Sequence, residues 1–280
     1  MTKKQSSRIL ITGFPNAGKS SLINLLFKRK ISIVSNKIQT TNQSIQAILN
    51  YGNCQMIFID TPGIIEKTKY NSKKLSREIF KNIEQIDINL FIYDVTKILS
   101  ISRKKKIKDI LSNFKKNYLI LNKIDLISNE FLLMQINQIN SELCFSDTFP
   151  LSVKKKIGIS KLLDKISKDS PEGKWMISYK NTIDKDINFL ISEITREKIF
   201  NLLNKEIPYV IKVESSVSNL KSIIKVEQKI LVEKESQKAI IIGKRGSKIK
   251  DIGTRSRNEM EKIFKKKVFL DLKVFKKLTI

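Results

Sequence analysis

Residues 13–20 read Gly-Phe-Pro-Asn-Ala-Gly-Lys-Ser, which sets two glycines, a lysine and a hydroxyl at the spacing G-x-x-x-x-G-K-S. The chemistry these side chains offer together is the binding of a polyphosphate. Gly13 and Gly18 let the chain curl until successive N–H groups converge as an anion cradle at a helix start. Lys19 adds a mobile positive charge for β- and γ-phosphates, and the hydroxyl of Ser20 is a ligand suited to Mg²⁺. Such a loop is credible only between a strand and a helix. Here an apolar run, Arg8 to Thr12, precedes it, and Ser21 to Phe27 opens with helical character. The expectation is a nucleoside triphosphate held by Asn16, Ala17, Gly18, Lys19, Ser20 and Ser21.

Downstream patterns extend that site. The strand-like run Cys54 to Ile59 ends in Asp60-Thr61-Pro62-Gly63. Asp60 there suits Mg²⁺, and Gly63 can present its N–H to a γ-phosphate. Alone this is an ordinary turn composition; after a phosphate loop and the pair Thr40-Thr41 it says more. Ser20, Thr41 and Asp60 form the expected metal set, with the choice between Thr40 and Thr41 left open. Another apolar run, Asn117 to Leu121, ends in Asn122-Lys123-Ile124-Asp125. The Asp125 carboxylate can accept two hydrogen bonds from N1–H and N2–H₂ of guanine, a donor pair that adenine lacks. Asn122 and Lys123 would hold the loop and the base, and backbone N–H groups of Ser152, Val153 and Lys154 lie in reach of guanine O6.

The elements that must position these groups alternate in the expected way. Ser44 to Tyr51 and Cys54 to Ile59 read as a hairpin around Gly52-Asn53. Tyr70 to Gln85 reads as an amphipathic helix, Ile88 to Val95 as a buried strand, and Arg103 to Lys108 as the solvated face of the next helix. Four or five βα repeats with loops at strand C-termini describe a doubly wound, mostly parallel α/β domain. We place it at residues 1–166, followed by a linker at 167–182 whose Pro171, Gly173, Trp175 and Tyr179 show no period.

Residues 183–280 read differently. A helix over Lys185 to Lys205 is followed by strands at Tyr209 to Ser215 and Ser222 to Glu233. Then Lys238 to Ile242 leads into Gly243-Lys244-Arg245-Gly246, a helix runs from Ser247 to about Phe264, and Val268 to Phe275 closes as a strand. A G-x-x-G turn lets backbone approach a nucleic-acid strand while its basic residues neutralise phosphates. Ile242, Gly243, Lys244, Arg245, Gly246, Lys248, Lys250 and Arg255 are the expected RNA contacts, with Ile240 to Ile242 and Ile249 as an apolar shelf for unstacked bases.

Composition narrows the classes. The chain has 280 residues, is 41% apolar and carries a formal net charge of +27. Part of that excess is compositional, the Lys, Ile and Asn crowding of AT-rich coding sequence, but the field still attracts a polyanion, nucleic acid or anionic membrane. No apolar run reaches spanning length, and no signal-peptide pattern opens the sequence. There is no histidine, which removes His-based nucleophiles and the common His metal sites. Cys54 and Cys144 are too few for a disulfide framework and are expected as buried thiols.

The ordered motifs at 13–20, 40–41, 60–63, 122–125 and 152–154 resemble the Ras-like GTPase fold of the translation-factor class. That resemblance implies GTP, Mg²⁺ and hydrolysis to GDP. The α-β-β-α-α-β order around Gly243 to Gly246 resembles a type II KH domain, an α+β fold. Together, with Gln39-Thr-Thr41, Arg196-Glu-Lys198, Glu206-Ile-Pro-Tyr209 and Ile242 to Gly253, they resemble the Era family of GTPases. The resemblance implies a KH domain gripping the 3′ end of small-subunit (16S) ribosomal RNA, a role in assembling the small (30S) subunit, and a monomer in the cytoplasm, with peripheral contact at the inner membrane left open. Asn42 departs from the family's usual Arg, and the sequence ends a few residues past the last expected strand.

Two other functions stay in view: a constitutive RNA-binding protein with a structural nucleotide site, and a peripheral membrane GTPase. The catalytic group is not assigned. Ile64 stands where Ras orients water with a glutamine, leaving Asn16, Lys19 and Thr41 as candidates. Asn16 either caps its own loop or helps hold K⁺ beside the phosphates, as the resemblance to potassium-assisted relatives implies.

Overall fold

The computed structural model describes residues 3–27, 45–60, 85–176, 187–203, 211–220 and 222–277. They divide into two compact units. The first is built on strands β1 (Gln5–Gly13), β2 (Ile45–Tyr51), β3 (Cys54–Asp60), β4 (Ile88–Asp94), β5 (Asn117–Asn122) and β6 (Asp147–Leu151), in the spatial order β2-β3-β1-β4-β5-β6. Every neighbouring pair is parallel except the hairpin β2–β3. Both β4 and β5 are buried along their whole length, as the strands of a parallel sheet covered on both faces are.

A buried polar line fixes how the central strands sit side by side. Thr12 Oγ1 donates to Asn89 Oδ1 at 2.7 Å, Asn89 Nδ2 to Asn117 Oδ1 at 2.8 Å, and Asn117 Nδ2 to the Leu111 carbonyl at 3.1 Å. Each polar group is satisfied, so the line costs little and sets β1, β4 and β5 in one register.

Three helices connect these strands among the described residues, α1 (Lys19–Leu26), α2 (Ile101–Leu111) and α3 (Asn129–Glu142), and α4 (Ile159–Asp169) follows β6. Ser100 caps α2 by accepting from Arg103 N–H, and Ser128 caps α3 by accepting from Phe131 N–H. The helix α4 runs three residues into the stretch that reads as linker, because Ile166 is fully buried and Ser170 bonds back to it. Beyond it the chain stays on this unit. Ser6 N–H donates to the Pro171 carbonyl, Gly173 N–H to the Lys4 carbonyl, and Trp175 Nε1 to the Asn53 carbonyl at 3.1 Å. One cysteine departs from expectation: Cys54 is buried, but Cys144, in the turn after α3, is exposed.

The second unit comprises α5 (Ile187–Leu202), β7 (Lys212–Leu220), β8 (Ile223–Val232), α6 (Glu235–Ile242), α7 (Ser247–Phe264) and β9 (Lys267–Lys276). Its sheet has the order β7-β8-β9, with β7 antiparallel and β9 parallel to β8. Strict alternation in β8 sends Ile224, Val226, Ile230 and Val232 into the core against Ile194, Ile199, Ile241, Ile252 and Met260 of the helices. Gln228, also inward, is satisfied by Thr195 Oγ1 at 2.6 Å, Ser215 Oγ at 2.8 Å and the Ile191 carbonyl.

Two boundaries shift from those read in sequence. The strand β7 continues past Ser215 to Leu220 because it pairs with β8 throughout, with Ser216 and Ser218 on its exposed face. The helix α6 starts before Lys238 because the Gln237 side chain accepts from both Glu233 and Lys234 N–H at 2.9 Å, an N-terminal cap that Lys234 disguises.

Candidate nucleotide site and candidate RNA interface

In the first unit, β1, β4, β5 and β6 deliver their C-terminal ends to one edge of the sheet. The phosphate loop leaves β1 and enters α1 through Gly18, and no side chain caps α1, unlike α2 and α3. Uncapped N–H groups at a helix start leave the donor set for an anion. Lys19 Nζ stands inside the loop, donating to the Gly13 carbonyl at 3.0 Å and the Phe14 carbonyl at 2.9 Å. Ser20 and Ser21 are half-buried in the first turn. Asn16 is exposed, with a left-handed φ of 61° that asparagine tolerates better than most residues.

Asn122 is the hub. It is 3% exposed. Its Nδ2 donates to the Ala17 carbonyl at 2.7 Å, and its Oδ1 accepts from Val153 N–H at 3.1 Å. One amide therefore joins the phosphate loop, the end of β5 and the loop after β6. The contact also dictates Gly18: a Cβ there would lie 2.2 Å from Asn122 Nδ2, on top of a φ of +109°. Next to the hub, Asp125 Oδ1 accepts from Ser152 Oγ at 2.5 Å, and Ser152 Oγ in turn accepts from Lys155 N–H at 3.0 Å. These bonds orient the Asp125 carboxylate before any ligand arrives. Two N–H groups of this loop are already engaged, Val153 with Asn122 and Ser152 with the Ile157 carbonyl at 3.2 Å.

Two supporting residues escaped the sequence reading. Asp94, the last residue of β4, accepts from Lys123 Nζ at 2.6 Å and from Thr96 Oγ1 at 2.7 Å. Burial alone would raise its carboxyl; the Lys123 and Thr96 bonds outweigh that and hold it below the usual range. Arg103 is the second. Its guanidinium lies 5.3 Å from the Phe14 ring, and Phe14 sets its edge against Phe91 and Tyr93 at 6.0 and 6.1 Å. The basic run 103–108 is thus not wholly a solvated face, since Arg103 backs the phosphate loop and Lys104 pairs with Glu142. The clue was Phe14 itself, an aromatic in a phosphate loop that needs a wall to lie on.

Of the expected metal ligands, Ser20 opens α1, and Asp60 ends β3 with its Cα paired to Ile11 of β1. Both positions therefore reach the same edge, and their oxygen chemistry fits a hard cation. The side chain of Asp60, all of Thr40, Thr41, Thr61, Pro62, Gly63 and Ile64, and the helix expected over Tyr70 to Gln85 up to residue 84 lie outside the described residues.

In the second unit, Gly243 to Gly246 join α6 to α7. Gly243 has φ 72° and a Cβ on it would sit 2.7 Å from Lys248 Cγ, so the turn needs glycine. Arg245 takes a left-handed φ of 51°. Lys244, Arg245, Lys248 and Lys250 are exposed, and among the described residues no acidic side chain pairs with them. Arg255, one to two turns on, is held by Asp251 at 2.7 Å. The apolar shelf is smaller than expected, since Ile241 is fully buried; Ile240, 41% exposed, and the half-buried Ile242 and Ile249 remain.

A wired phosphate loop beside the strand end Asn122 to Asp125, followed by a G-x-x-G unit with α-β-β-α-α-β order, defines a P-loop GTPase joined to a KH domain. The family described as 50S ribosome-binding GTPase matches residues 8–123, and the KH domain family matches residues 206–279. The chain is 36% identical to GTPase Era of Staphylococcus epidermidis over 276 residues, covering 97% of this chain and 92% of that one. It is 37% identical to GTPase Era of Ehrlichia canis, covering 96% and 92%. An Era crystal structure with MgGDPNP and nucleotides 1506–1542 of 16S ribosomal RNA superposes with a TM-score of 0.89 at 31% identity, covering 98% and 94%. An Aquifex aeolicus Era variant bound to GDP and AlF4⁻ gives 0.88 at 31%, covering 97% and 94%. This chain belongs to the Era family of GTPases.

Proposed function

We propose that this chain is a GTP-timed RNA clamp that acts on the 3′ region of 16S ribosomal RNA during assembly of the small (30S) subunit. The observation that carries the reading is the turn at 243–246: four exposed cations around a glycine-shaped backbone, in a chain whose other unit belongs to a GTPase. Such a surface suits a strand whose phosphates pass close to main chain. The Era complex with a 16S fragment and a GTP analogue supports the same partners here.

In this reading Asp125 and the loop at 152–154 select guanine, the uncapped start of α1 and Lys19 neutralise the triphosphate, and Ser20, Thr41 and Asp60 hold Mg²⁺. The metal supplies charge neutralisation on the β- and γ-oxygens. Exposed Asn16 lends its side-chain oxygen to K⁺, supplying the positive charge that an arginine provides in other GTPases. The protein acts as a monomer in the cytoplasm; no described helix is long and apolar enough to cross a membrane.

The test is equilibrium binding of a 3′-terminal 16S fragment. Wild type is expected to bind it, and the variant with Lys244→Asp and Arg245→Asp to lose most of that affinity. Unchanged binding by the variant would remove the KH loop from the reading.

A further inference from the structure

The end of β4 carries a group that no motif assigns. Asp94 lies beside Asn122 in the β4–β5 pairing, and Val95 N–H donates to the Asn122 carbonyl at 3.1 Å. Both oxygens of its side chain are occupied. Oδ1 accepts from Thr96 N–H at 3.1 Å and from Thr96 Oγ1 at 2.7 Å, and Oδ2 takes the Lys123 ammonium at 2.6 Å. The pair is largely out of water, with side chains 11% exposed for Asp94 and 33% for Lys123. Lys123 itself has a left-handed backbone, φ 72° and ψ 33°, and caps the short turn Ile124–Leu126 that contains Asp125. A lysine held only by its backbone would sweep its four-carbon stem through many rotamers, and binding a base against it would mean ordering that stem each time.

We propose that Asp94 is a positioning residue for the nucleotide base, anchoring the Lys123 ammonium so that the lysine stem forms a fixed wall of the base pocket. This rests on the reading that residues 122–125 bind guanine. Thr96 completes the device by fixing the carboxylate, so the direction of the anchor is set before the ligand binds. The wall touches the flat face of a base and not its hydrogen-bonding edge. Asp94 therefore contributes affinity for any nucleotide the pocket accepts, while Asp125 contributes the choice among bases. It serves di- and triphosphate alike, so its loss appears in KM and not in the chemical step.

The experiment compares Asp94→Asn, which keeps shape and the Thr96 N–H contact but removes the charge facing Lys123, with wild type in nucleotide titrations. Affinities for GDP and GTP are expected to weaken together about tenfold, or about 1.4 kcal/mol, with KM rising in step and kcat changing less than twofold. The ratio of GTP to xanthosine triphosphate affinity is expected to hold. In a Lys123→Met background, which keeps a stem but no ammonium, Asp94→Asn is expected to add nothing. Wild-type affinity in Asp94→Asn, a changed base preference, or a full loss persisting in the Met background would each overturn the proposal. Should Asp94→Asn fail to fold, Thr96→Val serves instead: a two- to threefold weakening supports the anchor and none overturns it. Wild-type protein that binds ATP as well as GTP would instead overturn the guanine reading beneath it.

Discussion

Each unit presents a glycine-shaped turn at the start of a helix, yet the two turns are held in opposite ways. The loop at 13–20 is wired on every side: to Asn122 through Ala17, to Phe91, Tyr93 and Arg103 through Phe14, and to its own lysine through two carbonyls. At 243–246 the side chains are exposed, and the contact that shapes the turn comes from Lys248, two residues on. The contrast follows from what each must grip. A small ligand of fixed shape rewards preorganisation, because every group fixed in advance is one less to order on binding. A polymer backbone rewards charge and close approach with little shape, since phosphates repeat and register can shift.

The sharpest way to break that comparison is to disturb the wired loop. Gly18→Ala places a methyl group 2.2 Å from Asn122 Nδ2, so it must part the phosphate loop from the end of β5. Isothermal titration is expected to find GTP binding weakened by more than about a hundredfold, consistent with the cost of breaking a buried polar hub. Near-normal binding would mean the hub is not rigid. The exposed turn should respond through charge. For Lys244→Asp with Arg245→Asp, RNA affinity is expected to fall about tenfold to a hundredfold, and the slope of log K against log salt to flatten by about two, one unit per lost phosphate contact. A drop with no change of slope would point to lost shape.

Asp125→Asn exchanges an acceptor for a donor on a carboxylate already aimed by Ser152. Competition binding should show preference moving from GTP toward xanthosine triphosphate by about tenfold or more, each reversed hydrogen bond being worth about 1–3 kcal/mol. If instead all nucleotides weaken equally, Asp125 supports the loop and does not read the base. A smaller effect is expected at Asn16. Hydrolysis should run several-fold faster in potassium than in sodium, and Asn16→Ala should erase that difference with GTP still bound; equal wild-type rates in the two salts would leave Asn16 as a loop cap. Smallest of all, Ser100→Ala removes the cap of α2 and should lower unfolding free energy by about 1 kcal/mol, read as a shift in denaturation midpoint with nucleotide affinity unaltered.

The parts of this molecule that could be read from sequence are those whose cause is local. Runs such as Ile88 to Val95 and Asn117 to Leu121 give strands because four apolar residues in succession, Leu90 to Tyr93 and Tyr118 to Leu121, suit a doubly covered sheet, and polar residues at their ends give loops. Asn122 and Asp125 were visible for that reason and for their spacing. Asp94 ends a strand in the same way but has no spaced companions, so it looked like any strand terminus; only the parallel pairing of β4 with β5 shows that it faces Lys123. Arg103 lay hidden for a related reason, being separated from Phe14 by most of the unit. Cys144 was expected to be buried, but on the segment after α3 Leu143 and Phe145 turn toward the core and the cysteine between them faces water. The start of α6 was read late because lysine is a poor signal for a cap that Gln237 in fact makes.

The most direct test joins the two turns. Binding of the 3′-terminal 16S fragment is measured with the protein saturated by a non-hydrolysable GTP analogue and again with GDP, at one salt concentration. A GTP-timed clamp requires a coupling of at least about 1 kcal/mol, hence RNA bound about fivefold or more tightly in one state, with the ratio of analogue to GDP affinity shifted by RNA by the same factor. Equal RNA affinity in the two nucleotide states would contradict it, leaving two phosphate-gripping turns on one chain with no conversation between them.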